Sequence, residues 1–187
     1  RKYLPDADRK IAFDKFHIAK HLGGAVDLVR RREHKQLKAA GDDRLTGTRY
    51  DWLRHPARME PDDRKQFAAL RDSNLKTARA WALTEAMMAF FLYHYERPAR
   101  TLYRWWHNWA VRCRLKPMIE KARMIQRRFA NIITYLRLRI TNAASESINS
   151  KIQWVKYTAR GFRSKNNFVT AIYFHCGGLD LAPAATK

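Results

Sequence analysis

Thr141-Asn142-Ala143-Ala144-Ser145-Glu146-Ser147-Ile148-Asn149-Ser150-Lys151-Ile152-Gln153, running on to Gly161, is the stretch whose reading decides the rest of the chain. At about 100° per residue it makes a helix with two unlike faces. Ile148, Ile152, Val155 and Ala159 fall on one; Glu146, Asn149, Ser150, Gln153, Tyr157 and Arg160 fall on the other. Thr141 or Asn142 is the candidate N-cap, and Gly161 is a natural stop. Solvated helix faces usually carry Lys/Glu pairs at i+4. Here one acid is surrounded by amides, a hydroxyl and a phenol, with bases only at the far end. Two readings of Glu146 follow. It is a surface or capping glutamate favoured by the helix dipole, or it is a carboxylate held in place for chemistry.

Working outward, the chain is strongly basic. Its 187 residues hold 38 Lys and Arg against 17 Asp and Glu, a net charge of +21. Between Arg97 and Lys165, seventeen bases face only two acids, Glu120 and Glu146. Such a field draws the chain to polyanions and makes binding salt-dependent. Aromatics at 12% exclude a disordered basic tail. Two cysteines, Cys113 and Cys176, make neither a disulfide scaffold nor a zinc site, and a reduced pair is expected. No signal peptide and no apolar run near 18 residues is present, so no membrane partner is expected.

Upstream, Lys10-Ile11-Ala12-Phe13 is the one good strand candidate, ending at Asp14. A lone strand needs a sheet, and the chain opens on Arg1 rather than Met. It is therefore expected to be the C-terminal part of a larger α/β unit. Helical periodicity predicts a helix from Phe16 to about Ala39, basic at Arg30-Arg31-Arg32. Further helices are predicted from Pro61, over Leu75–Tyr95, over Thr101–Cys113 and, as one unbroken rod, over Met118–Ile140. Trp105, Trp106 and Trp109 are assigned to helix packing rather than to a base-stacking platform. Phe162 to Asn167 reads as a basic turn, followed by a last helix holding Phe168, Ala171, Ile172 and His175.

Asp14-Lys15-Phe16-His17 lies at a strand end, where α/β folds place active residues. Asp14 is also a candidate N-cap of the next helix, and the two roles are compatible. His17 and His21 have metal-ligand spacing but no third ligand nearby, so no zinc site is expected. Ser145 and Ser147 lack His and Asp partners in their sequence context.

Phe13-Asp14-Lys15-Phe16-His17, the basic Val29-Arg30-Arg31-Arg32-Glu33, Thr141-Asn142 with Glu146, Asn149 and Lys151-Ile152, and Ala159-Arg160-Gly161-Phe162 together resemble the DDE-type transposases of bacterial insertion sequences. The group nearest in pattern is the one named after the lactobacillus ISL element. The resemblance covers nearly the whole chain, with specific motifs at its two ends and likeness only in character between them. It implies a mostly α chain: the C-terminal part of a ribonuclease-H-like α/β core, one strand plus the last helices, carrying a large all-helical insertion. Residues 1–30 would end the core, 31–140 form the insertion, and 141–187 carry the third catalytic carboxylate.

On that resemblance Glu146 is the catalytic and metal-binding acid. Asp14 and His17 match an Asp-x-x-His motif that follows the second catalytic aspartate. Asn142, Asn149 and Gln153 are accessory active-site residues, and Lys151, Lys156, Arg160, Arg163, Lys165, Arg127 and Arg128 hold DNA. The implied cofactor is Mg²⁺ (or Mn²⁺). The implied partners are double-stranded DNA, as transposon ends and target, and further copies of the chain in a homo-oligomer. The implied location is the bacterial cytoplasm, at the nucleoid. No residue here supplies the first two aspartates, so the chain alone is expected to bind DNA without cutting it. The competing reading is a non-enzymatic helical nucleic-acid-binding protein, and a defective remnant is a third.

Overall fold

The computed structural model describes residues 10–139 and 143–177, together with Pro5. All regular structure among them is helical. The chain divides into two compact units, Arg1–Ile140 and Thr141–Lys187.

The first unit is built on α1 (Lys15–Ala39). Asp14 caps it: extended at φ −79°, its carboxylate accepts the His17 N–H at 3.1 Å. Ile18, Leu22, Ala25, Val26 and Val29 recur at three and four residues and are buried. Two charged residues share that buried side. Arg30 is turned inward on the Asp27 carboxylate at 2.9 Å, so the arginine run is not wholly on the surface. Glu33 reaches α3 (Lys76–Met88), where it accepts the Lys76 N–H, the Thr77 N–H and the Thr77 hydroxyl, each at 2.7 Å. A helix N-terminus has unpaired N–H groups and a positive end, and a buried carboxylate from another helix satisfies both.

Between these helices come turns over residues 40–54, a 3₁₀ turn at Pro56–Arg58 and α2 (Pro61–Arg71), which opens on its proline as its sequence requires. Trp52, Phe67 and Trp81 meet edge to face at 5.0 and 5.3 Å. The helix expected over Leu75–Tyr95 is shorter than its pattern. It tightens to 3₁₀ over Ala89–Leu92, which buries Phe90 and Phe91, and Tyr95, the last residue of the expected helix, lies 78% exposed.

Next, α4 (Glu96–Arg112) takes Pro98 into its first turn. It packs on α5 (Lys116–Arg127). The expected rod over Met118–Ile140 is broken at Arg128 (φ −116°, ψ 12°), and α6 (Phe129–Leu138) follows. The break lets Phe129 stack on Tyr103 at 3.7 Å and 15°, in surroundings that push the Tyr103 phenol up to about 12 by burial. It also aims Asn131 at residues 11–13. The Asn131 carbonyl accepts the Phe13 N–H at 3.1 Å, and its amide donates to the Ile11 carbonyl at 3.0 Å.

This corrects the strand expected at Lys10–Phe13. Lys10 is helical and residues 11–13 have no regular structure, because their polar groups pair with Asn131 and not with a neighbouring strand. The tryptophan stripe also divides. Trp106 is fully buried and donates to the Leu83 carbonyl at 2.7 Å, whereas Trp105 is 56% exposed.

The second unit pairs α7 (Ala143–Thr158) with α8 (Lys165–Cys176). Val155 is buried, Trp154 meets His175 at 5.9 Å and Phe162 meets Phe168 at 5.1 Å. Gly161, at φ +105°, ends α7 as its sequence requires, and the Ser164 hydroxyl caps α8. Ile148, Trp154, Tyr157, Val169, Tyr173 and Phe174 are exposed, so the pair buries little of its apolar surface.

Removing the Glu33 carboxylate strands two N–H groups and a hydroxyl. We expect Glu33→Ala to lower the stability of the first unit by about 2–3 kcal/mol in urea unfolding. An unchanged midpoint would show that α3 is capped some other way.

Candidate functional site

Glu146 lies in the first turn of α7, and Asn149, Ser150, Gln153, Tyr157 and Arg160 follow it on the same side, all exposed. This face is solvated throughout, and the amides on it that are expected to hold the acid in place do not bond to it. Among the described residues Glu146 makes no ion pair and no hydrogen bond, not even to Asn149 or Gln153. Among the described residues its exposed carboxylate has no basic partner, in the most basic part of the chain. Asn142, and with it the expected N-cap, lies outside the described residues.

Further along the helix the side chains converge. Gln153, Lys156 and Arg160, with Tyr157, Thr158 and Gly161, line an open depression of about 640 Å³. Arg160 takes a left-handed backbone (φ +52°) at the helix end, next to Gly161. Tyr157 was absent from the expected site residues, although its position four after Gln153 placed it on this face. Lys151 is exposed, and Arg163 and Lys165 are exposed around the turn into α8.

In the first unit, Asp14 is buried and engaged as the cap of α1, while His17 is exposed with its ring edge-on to Phe16. Arg127 and Arg128 are exposed, and the Arg128 guanidinium lies over the Phe13 ring at 5.9 Å. Around His21 the field is positive. Partial burial, then Lys121, His17 and Lys20, hold its pKa below 6.5.

The residues present do not by themselves fit a metal ion. Among the described residues no three His, Cys, Asp or Glu side chains gather where one could be held. Nor, among them, is any helix long and apolar enough to cross a membrane. Both cysteines are free thiols.

A transposase family model, that of the ISL3-type DDE transposases, matches residues 1–172. The chain belongs to this family. Similar curated proteins are the transposases of insertion sequence element IS1557 from two strains of Mycobacterium tuberculosis, CDC 1551 / Oshkosh and ATCC 25618 / H37Rv. Each is 26% identical over 174 residues, covering 81% of this chain and 39% of its own length. The chain thus spans about two fifths of the curated relatives it matches. No solved structure matches it. For an ISL3-type transposase, the exposed acid of α7 and the cationic depression beyond it are the features from which a function can be argued.

The His21 environment gives a test of the field on α1. Its imidazole should titrate below 6.5 by NMR, leaving it neutral at pH 7. The unfolded chain then takes up this proton first, so the contribution of His21 to stability is present above pH 6.5 and is lost as pH falls below it. A midpoint at or above 6.5 would contradict the placement of Lys121 and Lys20 beside it.

Proposed function

We propose that this chain is the C-terminal part of the catalytic domain of a DDE transposase. In this reading residues 1–30 end a ribonuclease-H-like core, 31–140 form a helical insertion and 141–187 carry the third catalytic carboxylate, Glu146. The observation that carries it is an exposed acid on the first turn of α7, without an ion pair among the described residues. It lies in the family-matched stretch between Arg97 and Lys165, whose one other acid, Glu120, stands among seventeen bases. A surface glutamate held by neighbouring lysines would not be free to meet a cation.

Strand cleavage and transfer in this class rest on divalent ions, Mg²⁺ or Mn²⁺, which neutralise charge on the entering and leaving oxygens. Glu146 would be this chain's ligand for such an ion, completed by carboxylates beyond those described here. Asn142 and Asn149 serve as accessory residues of the same site. Asp14 and His17 serve as accessory residues, with Asp14 acting through its cap on α1. Gln153, Lys156 and Arg160 meet backbone phosphates in their shared depression, and Lys151, Arg163, Lys165, Arg127 and Arg128 extend that contact. These cations set position on the DNA and do not read sequence. The exposed apolar side chains of α7 and α8 suit a pair of helices that packs on the expected sheet. The complete protein would act on double-stranded DNA at transposon ends and target, as a homo-oligomer, at the nucleoid in the bacterial cytoplasm.

The test is Glu146→Gln in the complete protein, an isosteric change that removes only the charge. Strand cleavage should be abolished while binding to transposon ends persists at unchanged salt concentration. Cleavage at the wild-type rate would leave Glu146 a surface residue and favour a binding role for this part of the chain.

A further inference from the structure

The solvent side of α4 carries a feature that strand-transfer chemistry at Glu146 does not use. Trp105 is 56% exposed, and among the described residues its indole N–H has no acceptor. Its ring lies 5.3 Å from that of half-buried Trp109, at 44°. One position on, Trp106 is fully buried with its N–H on the Leu83 carbonyl. Of two adjacent tryptophans, one is built into the core and the other is held out, backed by a second indole.

The surroundings indicate what it meets. At about 100° per residue, Arg97, Arg104 and Arg112 share the solvent side of α4 with Trp105, and all three are exposed. None has an ion pair among the described residues. The acid of this helix, Glu96, is already held by Arg100 and Arg137 at 2.6 and 2.7 Å. An exposed aromatic pair in a field this positive is matched to a polyanion that also has flat apolar faces. A DNA duplex shows its phosphates and hides its base faces. A strand with unpaired bases shows both.

We propose that Trp105, backed by Trp109 and flanked by Arg104 and Arg112, stacks on an unpaired base of a DNA strand. The arginines hold the neighbouring phosphates, and the stack prefers no particular sequence, because every base has a π-face. This rests on the reading of the chain as a DNA-binding transposase segment, but it adds a single-strand contact on the helical unit that is independent of Glu146.

Fluorescence anisotropy of the 187-residue chain tests it, with a labelled single-stranded oligonucleotide and a blunt duplex of the same sequence at one fixed salt concentration. Trp105→Leu should weaken single-strand binding by roughly 5- to 150-fold and leave duplex binding unchanged, while Trp105→Phe keeps most of the single-strand affinity. Wild-type single-strand affinity in Trp105→Leu, equal losses on both probes, or a Phe variant as weak as the Leu variant would each overturn the stacking site. A wild-type chain that binds neither probe would remove the DNA reading itself, and this site with it.

Discussion

A carboxylate buried between two helices sets the geometry of the larger unit. Glu33 lies near the end of α1 and accepts three hydrogen bonds from the start of α3, more than 40 residues later. The contact joins the two helices that pack most extensively in the unit. It is strong because an anion meets the positive end of a helix away from water, where the alternative is three unsatisfied donors. Once α3 is fixed, the Leu83 carbonyl is fixed, and Trp106 of α4 is anchored on it. The position of α4 then decides that Trp105 faces outward.

The same logic sorts the acids of a chain that has few of them. Asp14 caps α1, Asp27 holds Arg30, Arg31 and Arg49, Glu33 caps α3, and Glu96 holds Arg100 and Arg137. In each, a carboxylate is engaged by its own chain, and for Glu96 the two arginines hold the pKa below the ordinary carboxylate range. Among the described residues Glu146 has no such engagement. Glu120, in the same basic segment, is equally unengaged among the described residues, so what sets Glu146 apart is its place with Asn149, Lys151 and Ile152 in the motif at the start of α7.

Local patterns in the sequence are faithful where the cause is local. The Asp14 cap, the proline start of α2, the Gly161 stop and the inward face of α1 follow from residue type and spacing, and all are present. Where the cause is distant, local pattern misleads. Nothing between Met118 and Ile140 is glycine or proline after the first turn, yet the helix breaks at Arg128, because Phe129 and Asn131 find partners on Tyr103 and on residues 11–13. Residues 11–13 look like a strand for the same reason: their β-forming side chains are visible in sequence and their side-chain partner, 120 positions away, is not. The separation of Trp105 from Trp106 was equally hidden, since adjacent identical residues give a periodicity argument nothing to choose between. The polar face of α7 was legible, and so was its cationic end; the depression that gathers Gln153, Lys156, Tyr157 and Arg160 needed coordinates.

The proposed role of Glu146 is to hold a divalent ion. Iron-directed backbone cleavage of the complete protein tests this, because Fe²⁺ in place of the native ion, supplied with hydrogen peroxide and ascorbate, reduces the peroxide to hydroxyl radicals that cut the chain only near where the ion is held. We expect cuts around residue 146 that excess Mg²⁺ suppresses and that Glu146→Gln abolishes. Cuts that avoid the start of α7, or that persist unchanged in the Gln variant, would contradict that role.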